Sequence, residues 1–340
     1  MIYRSKAPLR IGLAGGGTDV SPYTDLYGGA ILNATISLYA AASVEPLDQG
    51  KIILEAMDRG ERQELPCVPQ LELDGTLHLF KGVYNRLVRE FSTGPLSFRL
   101  CTFVDAPAGS GLGTSSTLVV AVLGAFAEWL KLPLGEYDLA RLAYDIERKD
   151  LGMAGGRQDQ YAATFGGVNF MEFFSGDKVI VNPLRIKSNY LNELENNLLL
   201  YYTATSRQSS LIIESQVRNV TEKNQASIDA MHQLKMQAVH MKEALLTGRI
   251  HDIGEILDFG FRQKKKMTEG ISNPMIEGIY EAARSAGATG GKISGAGGGG
   301  FMTFYCPFNT RYAVMRALEP YGGNFMKYRF TQEGLTSWSI

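Results

Sequence analysis

The ten residues Pro107-Ala108-Gly109-Ser110-Gly111-Leu112-Gly113-Thr114-Ser115-Ser116 join two unlike patterns. Before them Phe98, Leu100, Thr102 and Val104 alternate as a strand does. After them Leu118, Val122, Ala125 and Trp129 recur at helical spacing between Ser116 and Leu130. A strand thus runs through a glycine-rich turn into a helix. Glycines let backbone N–H groups converge, and a helix N-terminus adds unpaired donors and partial positive charge, so this is physically an anion site. Thr114 or Ser115 suits the capping position. The hydroxyls of Thr114, Ser115 and Ser116 can donate to phosphate or ligate a hard cation such as Mg²⁺. The plain alternative is a glycine turn with a Ser/Thr cap, as many helices have.

Three familiar motifs fail on inspection. No lysine follows the last glycine, so the common P-loop is excluded. Gly111 to Ser116 lacks the third glycine of a dinucleotide fingerprint. Gly113-Thr114-Ser115-Ser116-Thr117 ends in Thr, which breaks the nucleophile-elbow pattern.

Outward from the loop, strands and helices fall into two separate mixed sets. Ala7 to Leu13 reads as a strand entering the turn Ala14 to Asp19, with β-leaning stretches at Ala30 to Val44 and Lys51 to Met57. Helical spacing covers His78 to Phe91 and Glu136 to Asp150; Gly166 to Phe173 reads as a strand. The loop-like segment Ser175 to Lys187 suggests a boundary, giving domains 1–190 and 191–340. The second set comprises a strand at Leu198 to Thr203, long helices across Ser206 to Met267, and a helix capped by Asn273 with Pro274 in its first turn. A strand Phe301 to Tyr305, a helix Arg311 to Leu318 and a strand Asn324 to Phe330 complete it. This arrangement predicts an α+β architecture, not a doubly wound parallel sheet.

Across 340 residues, 45% hydrophobic and 20% charged, the net charge is -1. Nothing global therefore attracts nucleic acid or an anionic membrane, and an anionic substrate must be held by local Arg, Lys or backbone N–H groups. The three cysteines lie far apart and read as reduced packing residues. No apolar run has membrane-spanning length, and Met1 to Arg10 has no signal-like apolar core, which points to a cytoplasmic protein. The 38 glycines exceed the average share of ~7% and are bunched at residues 12–17, 109–113, 152–156 and 287–300. Bunched glycine marks backbone bent through positive φ or brought close to something.

Pro107 to Ser116 resembles the nucleotide loop of the GHMP kinases. Two further motifs agree in order: Ala7-Pro8-Leu9-Arg10-Ile11 leading to Gly16-Gly17-Thr18-Asp19 resembles the family's substrate motif, and Lys292-Ile293-Ser294 followed by Gly295 to Gly300 resembles its C-terminal glycine loop. That last run formally satisfies G-x-G-x-x-G, but a strand follows it where a dinucleotide site needs a helix. Within the family, Leu13 to Asp19 looks most like the D-glycero-D-manno-heptose 7-phosphate kinases. Galactokinases carry a Glu-His pair where this chain has Gly16-Gly17. The resemblance implies a two-domain fold with a ferredoxin-like C-terminal domain. It also implies ATP and Mg²⁺ as cofactors and phosphorylation of a small sugar phosphate at its anomeric hydroxyl.

Phosphoryl transfer needs neutralised phosphates, an in-line nucleophile and often a carboxylate to take the hydroxyl proton. Asp159, in Gly155-Gly156-Arg157-Gln158-Asp159, is the base candidate. Its glycine neighbours permit close approach and the segment resembles the family's catalytic-Asp motif; the alternative is a turn Asp paired with Arg157. The resemblance makes Glu147 an Mg²⁺ ligand with Ser115, although periodicity alone allows a solvated Glu. It likewise makes Arg10 the active-site arginine near Asp159, where a structural ion pair is the alternative. Asp19 is expected to accept hydrogen bonds from sugar hydroxyls, and Gly16, Gly17, Thr18, Gly295, Ala296 and Gly297 are further expected substrate contacts. For a second phosphate, Arg157, Arg207 and the run Lys264-Lys265-Lys266 are candidates; such a run is more often a solvated helix face. The four histidines show no metal-ligand spacing, so no zinc site is expected.

Overall fold

A computed structural model of the chain describes residues 1–205 and 209–340. The first half contributes strands β1 (Tyr3–Ala14), β2 (Gly29–Pro46), β3 (Lys51–Ala56), β4 (Glu61–Pro66), β5 (Phe98–Val104), β6 (Val168–Phe173) and β7 (Val179–Pro183). Its helices are α1 (Tyr23–Tyr27), α2 (His78–Phe91), α3 (Thr114–Leu130), α4 (Glu136–Asp145), α5 (Gln158–Phe165) and α6 (Ser188–Asn197). The second half begins with β8 (Leu198–Tyr202), followed by α7 (Ser209–Thr221), α8 (Gln225–Thr247), α9 (Ile253–Met267) and α10 (Pro274–Ser285). Then come β9 (Gly290–Ile293), β10 (Phe301–Tyr305), α11 (Arg311–Leu318) and β11 (Asn324–Met326), with β12 (Thr336–Ser339) last.

Among the described residues the strands form two sheets. In the larger, β12-β1-β2-β5-β3-β4 are neighbours in that order, and β6 pairs with β2 and β7. The 18-residue β2 is the shared member: its first third pairs with β6, its last with β5, and most of its length with β1. All these pairs are antiparallel except β3 with β5. The β1–β2 register shifts between Pro8 and Arg10 and again between Gly12 and Ala14. Such irregularities re-aim side chains, and here they flank Arg10 just before the substrate turn. The smaller sheet runs β11-β8-β10-β9, wholly antiparallel, in the chain order β-α-β-β-α-β. That is the ferredoxin-like arrangement.

Helix α3 lies across β1 and β2 and is buried along nearly its whole length, from Thr114 to Phe126. Each large apolar side chain buried there contributes roughly 1.5–3 kcal/mol, and this anchors the glycine loop that precedes the helix. Asn273 caps α10 as expected, accepting the Ile276 N–H, with Pro274 in the first turn. The expected cap of α3 is not made. The helix starts at Thr114 after Gly113 (φ 80°), and neither hydroxyl caps it. Thr114 and Ser115 instead stand within the first turn, so those N–H groups remain open to a ligand.

Other boundaries also differ. The helix expected over 136–150 ends at Asp145 and continues as a π-turn, Ile146–Asp150. The segment read as a loop at 175–187 contains β7, and the strand expected to reach Phe330 stops at Met326. The tail then crosses back so that β12 pairs with β1. No helix among the described residues is long and apolar enough to cross a membrane.

Candidate active site

A cleft of about 370 Å³ opens where the two sheets' glycine turns meet. Gly109, Gly111, Gly113, Thr114, Ser115 and Ser116 line it, and the three glycines have φ of 72°, 83° and 80°. The alternation of the loop explains the rest of the motif. Ser110 and Leu112 are fully buried, pointing inward, while Pro107 is exposed where the loop begins. Ser110 and Leu112 therefore reach a ligand through backbone at most. Backbone also holds the loop: the Ser110 carbonyl accepts the Phe301 N–H at 2.9 Å, tying it to β10.

Arg10 and Asp159 meet at the centre. Nε and Nη2 of Arg10 approach Asp159 Oδ1 at 2.8 and 2.6 Å, and Nη1 donates to the Gly111 carbonyl at 2.5 Å. Arg10, not Arg157, is thus the partner of Asp159. A Cβ on Gly113 would lie 3.1 Å from Asp159 Cγ, so the glycine is what lets the carboxylate stand against the nucleotide loop. Asp159 occupies the first turn of α5, where Asp19 Oδ2 accepts the N–H groups of Arg157 and Gln158 at 2.8 and 3.0 Å. Asp19 lines the cleft but is 2% exposed, and burial raises its pKa despite those two donors.

Glu147, in the π-turn, lines the same cleft and is 1% exposed. Ser116 Oγ donates to its Oε1 at 3.0 Å and Gln160 Nε2 to its Oε2. Burial raises its pKa, and the nearby Asp159 charge adds to the rise. Arg148 Nη1, 3.8 Å from Oε1, lowers it without offsetting the burial, so the carboxylate is still short of positive charge. With the hydroxyls of Thr114, Ser115 and Ser116 it forms an all-oxygen set of the kind Mg²⁺ takes alongside nucleotide phosphates. The hydroxyl joined to Glu147 in the structure is that of Ser116, with Ser115 one residue nearer the loop.

Several expected substrate contacts fall elsewhere. The Arg157 guanidinium is 3% exposed and does not line the cleft: Nη1 donates to the Phe174 carbonyl at 2.9 Å, Nη2 pairs with Asp25 and Asp177 at 3.2 and 3.0 Å, and Nε is buried without a partner. It cannot also grip a phosphate in the cleft. Thr18 is buried, its hydroxyl spent on the Gly15 and Ala30 carbonyls, so it shapes the turn and does not face the cleft. Gly17, Gly295 and Ala296 line the cleft, whereas a Cβ on the buried Gly297 would meet the Ile271 carbonyl at 2.8 Å. Gly16 sits beside the Lys264 ammonium. Arg207 lies outside the described residues.

Two buried lysines stand at the site: Lys264, named in the sequence only as one of a run, and Lys292, named there only as part of the C-terminal motif and given no role. Lys264 lines the cleft with its Nζ donating to the Gly295 carbonyl. Burial, and then Arg10, depress its pKa to about 8. Lys292 Nζ donates to the Gly12 carbonyl at 2.6 Å, and burial, then the Lys264 and Arg10 charges, push its pKa well below the ordinary lysine value. A signal existed: Ile253, Leu257, Gly260, Phe261, Lys264 and Met267 form one buried helical stripe, which sets Lys264 apart from the rest of its run.

The sequence profile of the GHMP kinases N terminal domain matches residues 78–167, and that of the GHMP kinases C terminal domain matches residues 241–322. A D-glycero-alpha-D-manno-heptose 7-phosphate kinase of Campylobacter jejuni is 49% identical over 337 residues, 99% of each chain. The crystal structure of a D-glycero-D-manno-heptose 1-phosphate kinase from Bacteroides thetaiotaomicron has 47% identity and a TM-score of 0.85, covering 99% of both chains. A Lactococcus lactis galactokinase crystallised with galactose shares the fold at a TM-score of 0.79 and 19% identity, covering 98% of this chain and 95% of that one.

Proposed function

The chain belongs to the GHMP kinases, and from that premise we propose that it phosphorylates D-glycero-D-manno-heptose 7-phosphate at the anomeric hydroxyl, with ATP as donor and the 1,7-bisphosphate as product. The observation that carries this reading is the Asp159 carboxylate, held by Arg10 against the nucleotide loop at Gly113.

Each group has a share in the transfer. The N–H groups of the 109–116 loop and the first turn of α3 cradle the polyphosphate. Glu147, with Ser115 and Ser116 beside it, would hold Mg²⁺, which supplies charge neutralisation on the phosphate oxygens. Asp19 accepts hydrogen bonds from the sugar hydroxyls and orients the ring. Asp159 takes the proton of the attacking hydroxyl; its oxygen bonds to the γ-phosphorus as the bond to the β–γ bridging oxygen breaks, and ADP leaves. Arg10 keeps Asp159 aimed and faces the group in transfer. The near-neutral net charge and the absence of a helix able to cross a membrane among the described residues suit a soluble small-molecule enzyme of the cytoplasm.

The two similar heptose kinases are named for substrates phosphorylated at different positions, and the test separates them. ADP release would be measured with heptose 7-phosphate, heptose 1-phosphate, fucose and galactose. Turnover is expected with the 7-phosphate, and Asp159→Asn should lower it by ~10²–10⁴-fold, the usual span for a lost general base, while still binding both substrates. Preference for the 1-phosphate would move the reaction to another hydroxyl, since the anomeric oxygen is then blocked. Preference for a plain sugar would make the protein a simple sugar kinase, and no ADP with any acceptor would make it a sensor.

A further inference from the structure

Two buried ammonium groups stand beside the cleft, and the scheme above gives them no task. Lys264 is 5% exposed and Lys292 is 7% exposed. Each is held by a single backbone carbonyl, that of Gly295 and that of Gly12, and among the described residues neither forms an ion pair. Arg10 and Lys264 both line the cleft, with Lys292 held to Gly12 behind them. Among the described residues only Asp159 pairs directly with any of the three. The Asp19 carboxylate, which also lines the cleft, acts on Lys264 as an opposite charge without pairing with it. Burying charge without a paired counter-ion is costly, and an anion arriving in the cleft lowers that cost.

Position says which anion. Lys264 donates to Gly295, and Gly295 packs so tightly on the nucleotide loop that a Cβ there would lie 2.6 Å from Gly111 Cα. The carbonyl of that same Gly111 receives Arg10. On the opposite side, a Cβ on Gly16 of the substrate turn would lie 3.9 Å from Lys264 Nζ. The ammonium therefore sits between the loop that holds the donor and the turn that holds the acceptor. An ammonium has three donors; Gly295 uses one and two remain for a ligand.

Resting on the reading of this cleft as a site of ATP phosphotransfer, we propose that Lys264 is a further catalytic residue, contacting the equatorial oxygens of the phosphoryl group as it passes between donor and acceptor. Lys292 lies behind it, fixed to the Gly12 carbonyl. Lys264 stays protonated throughout: the acceptor proton goes to Asp159, the acceptor oxygen bonds to phosphorus, and the leaving oxygen departs on ADP. Glu147 and its Mg²⁺ would neutralise the group from the α3 side and Lys264 from the α9 side. A phosphate already on the acceptor belongs at the far end of the sugar from the attacked hydroxyl, away from the nucleotide loop.

The test uses Lys264→Met, which keeps the buried stripe apolar, and Lys264→Ala, which leaves room for a small amine. Steady-state ADP release would be measured with the acceptor that the wild-type panel selects, together with thermal melts. Lys264→Met is expected to melt no lower than wild type, because a buried charge is gone. Its kcat should fall ~10²–10³-fold, as when one preorganised donor to developing charge is lost, with both KM values changed only a few-fold. Ethylamine added to Lys264→Ala should restore part of kcat. The proposal is overturned if kcat stays within a few-fold of wild type, if only the acceptor KM rises (a clamp on the acceptor's own phosphate), or if no amine rescue is seen. A wild-type protein inactive on every acceptor overturns the kinase reading itself, which is a separate result.

Discussion

Glu147 carries its charge where water barely reaches it, and that has a consequence for stability. Burial is the first cause of its raised pKa, so the folded protein binds a proton that the unfolded chain, with a carboxylate near ~4.3, has already released. For an acid shifted this way, stability falls as pH rises from the unfolded pKa through the raised one, and the cost is fully present above it. Glu147→Gln escapes that cost. The new amide also finds a partner, because Gln160 Oε1 is buried without one and a flip of the Gln160 amide would present it to the variant. Ligand-free Glu147→Gln should therefore melt higher than wild type at pH 7.5 in calorimetry, with roughly 2–4 °C for each kcal/mol gained. The gap should close on acidification, and Mg²⁺-dependent nucleotide binding should be lost. A lower melting temperature at pH 7.5 would mean that the carboxylate stabilises the empty site. This is the trade expected of a functional charge: stability given up until the cation arrives.

The element that matters most for the chemistry is α5, because its start is held from outside the helix. Asp19, from the turn after β1, takes the N–H groups of Arg157 and Gln158, and Asp159 follows in the first turn. Gly156 is what allows it: a Cβ there would overlap the Asp19 carboxylate. Gly156→Ala should push Asp19 off those amides, lose about 1 kcal/mol of capping, and shift Asp159. Misplacement of that order can reduce turnover ~10²-fold. Kinetics and a thermal melt of the variant would check it, and wild-type kcat/KM would show that α5 is held by other contacts. Much of this site is legible in sequence, since glycines around Asp159 and after Leu13 mark where backbone must come close. Other parts are not. The π-turn that aims Glu147 inward has no sequence period to betray it. Arg157 looks like a phosphate grip until Asp25 and Asp177, distant in sequence, are seen to claim it. Lys264 hides in a lysine run whose neighbour Lys265 is an ordinary partner of Glu277. The short strands β7 and β12 depend on partners that no local pattern names.

At the scale of the molecule, the chain after β11 ties the two halves together. Having left the smaller sheet, it places the Phe330 N–H on Glu195 Oε2 at 2.6 Å, the Arg329 N–H on Ser37 Oγ at 2.9 Å and the Thr331 N–H on the Thr35 carbonyl at 3.0 Å. It then lays Leu335 so close over Gly124 of α3 that a Cβ there would meet it at 2.6 Å, and ends with β12 paired along Tyr3 to Lys6 of β1. No residue of 328–340 lines the cleft, so the segment's effect on catalysis is indirect. Deleting 328–340 turns β1 into an unpaired edge, which invites self-association, and removes several hydrogen bonds worth ~1 kcal/mol each. Helix α3, which carries the nucleotide loop, loses its cover at the same time. The truncated protein should melt several degrees lower in calorimetry, and the larger sheet should unfold before the smaller, splitting one transition into two. At low temperature its kcat should remain within a few-fold of wild type, because every cleft residue is still present. A single transition at the wild-type temperature would show that the core shared by β1, β2 and α8 suffices to couple the halves. In that case substrate binding, which grips the glycine turns of the cleft, should move the wild-type and truncated transitions by the same amount.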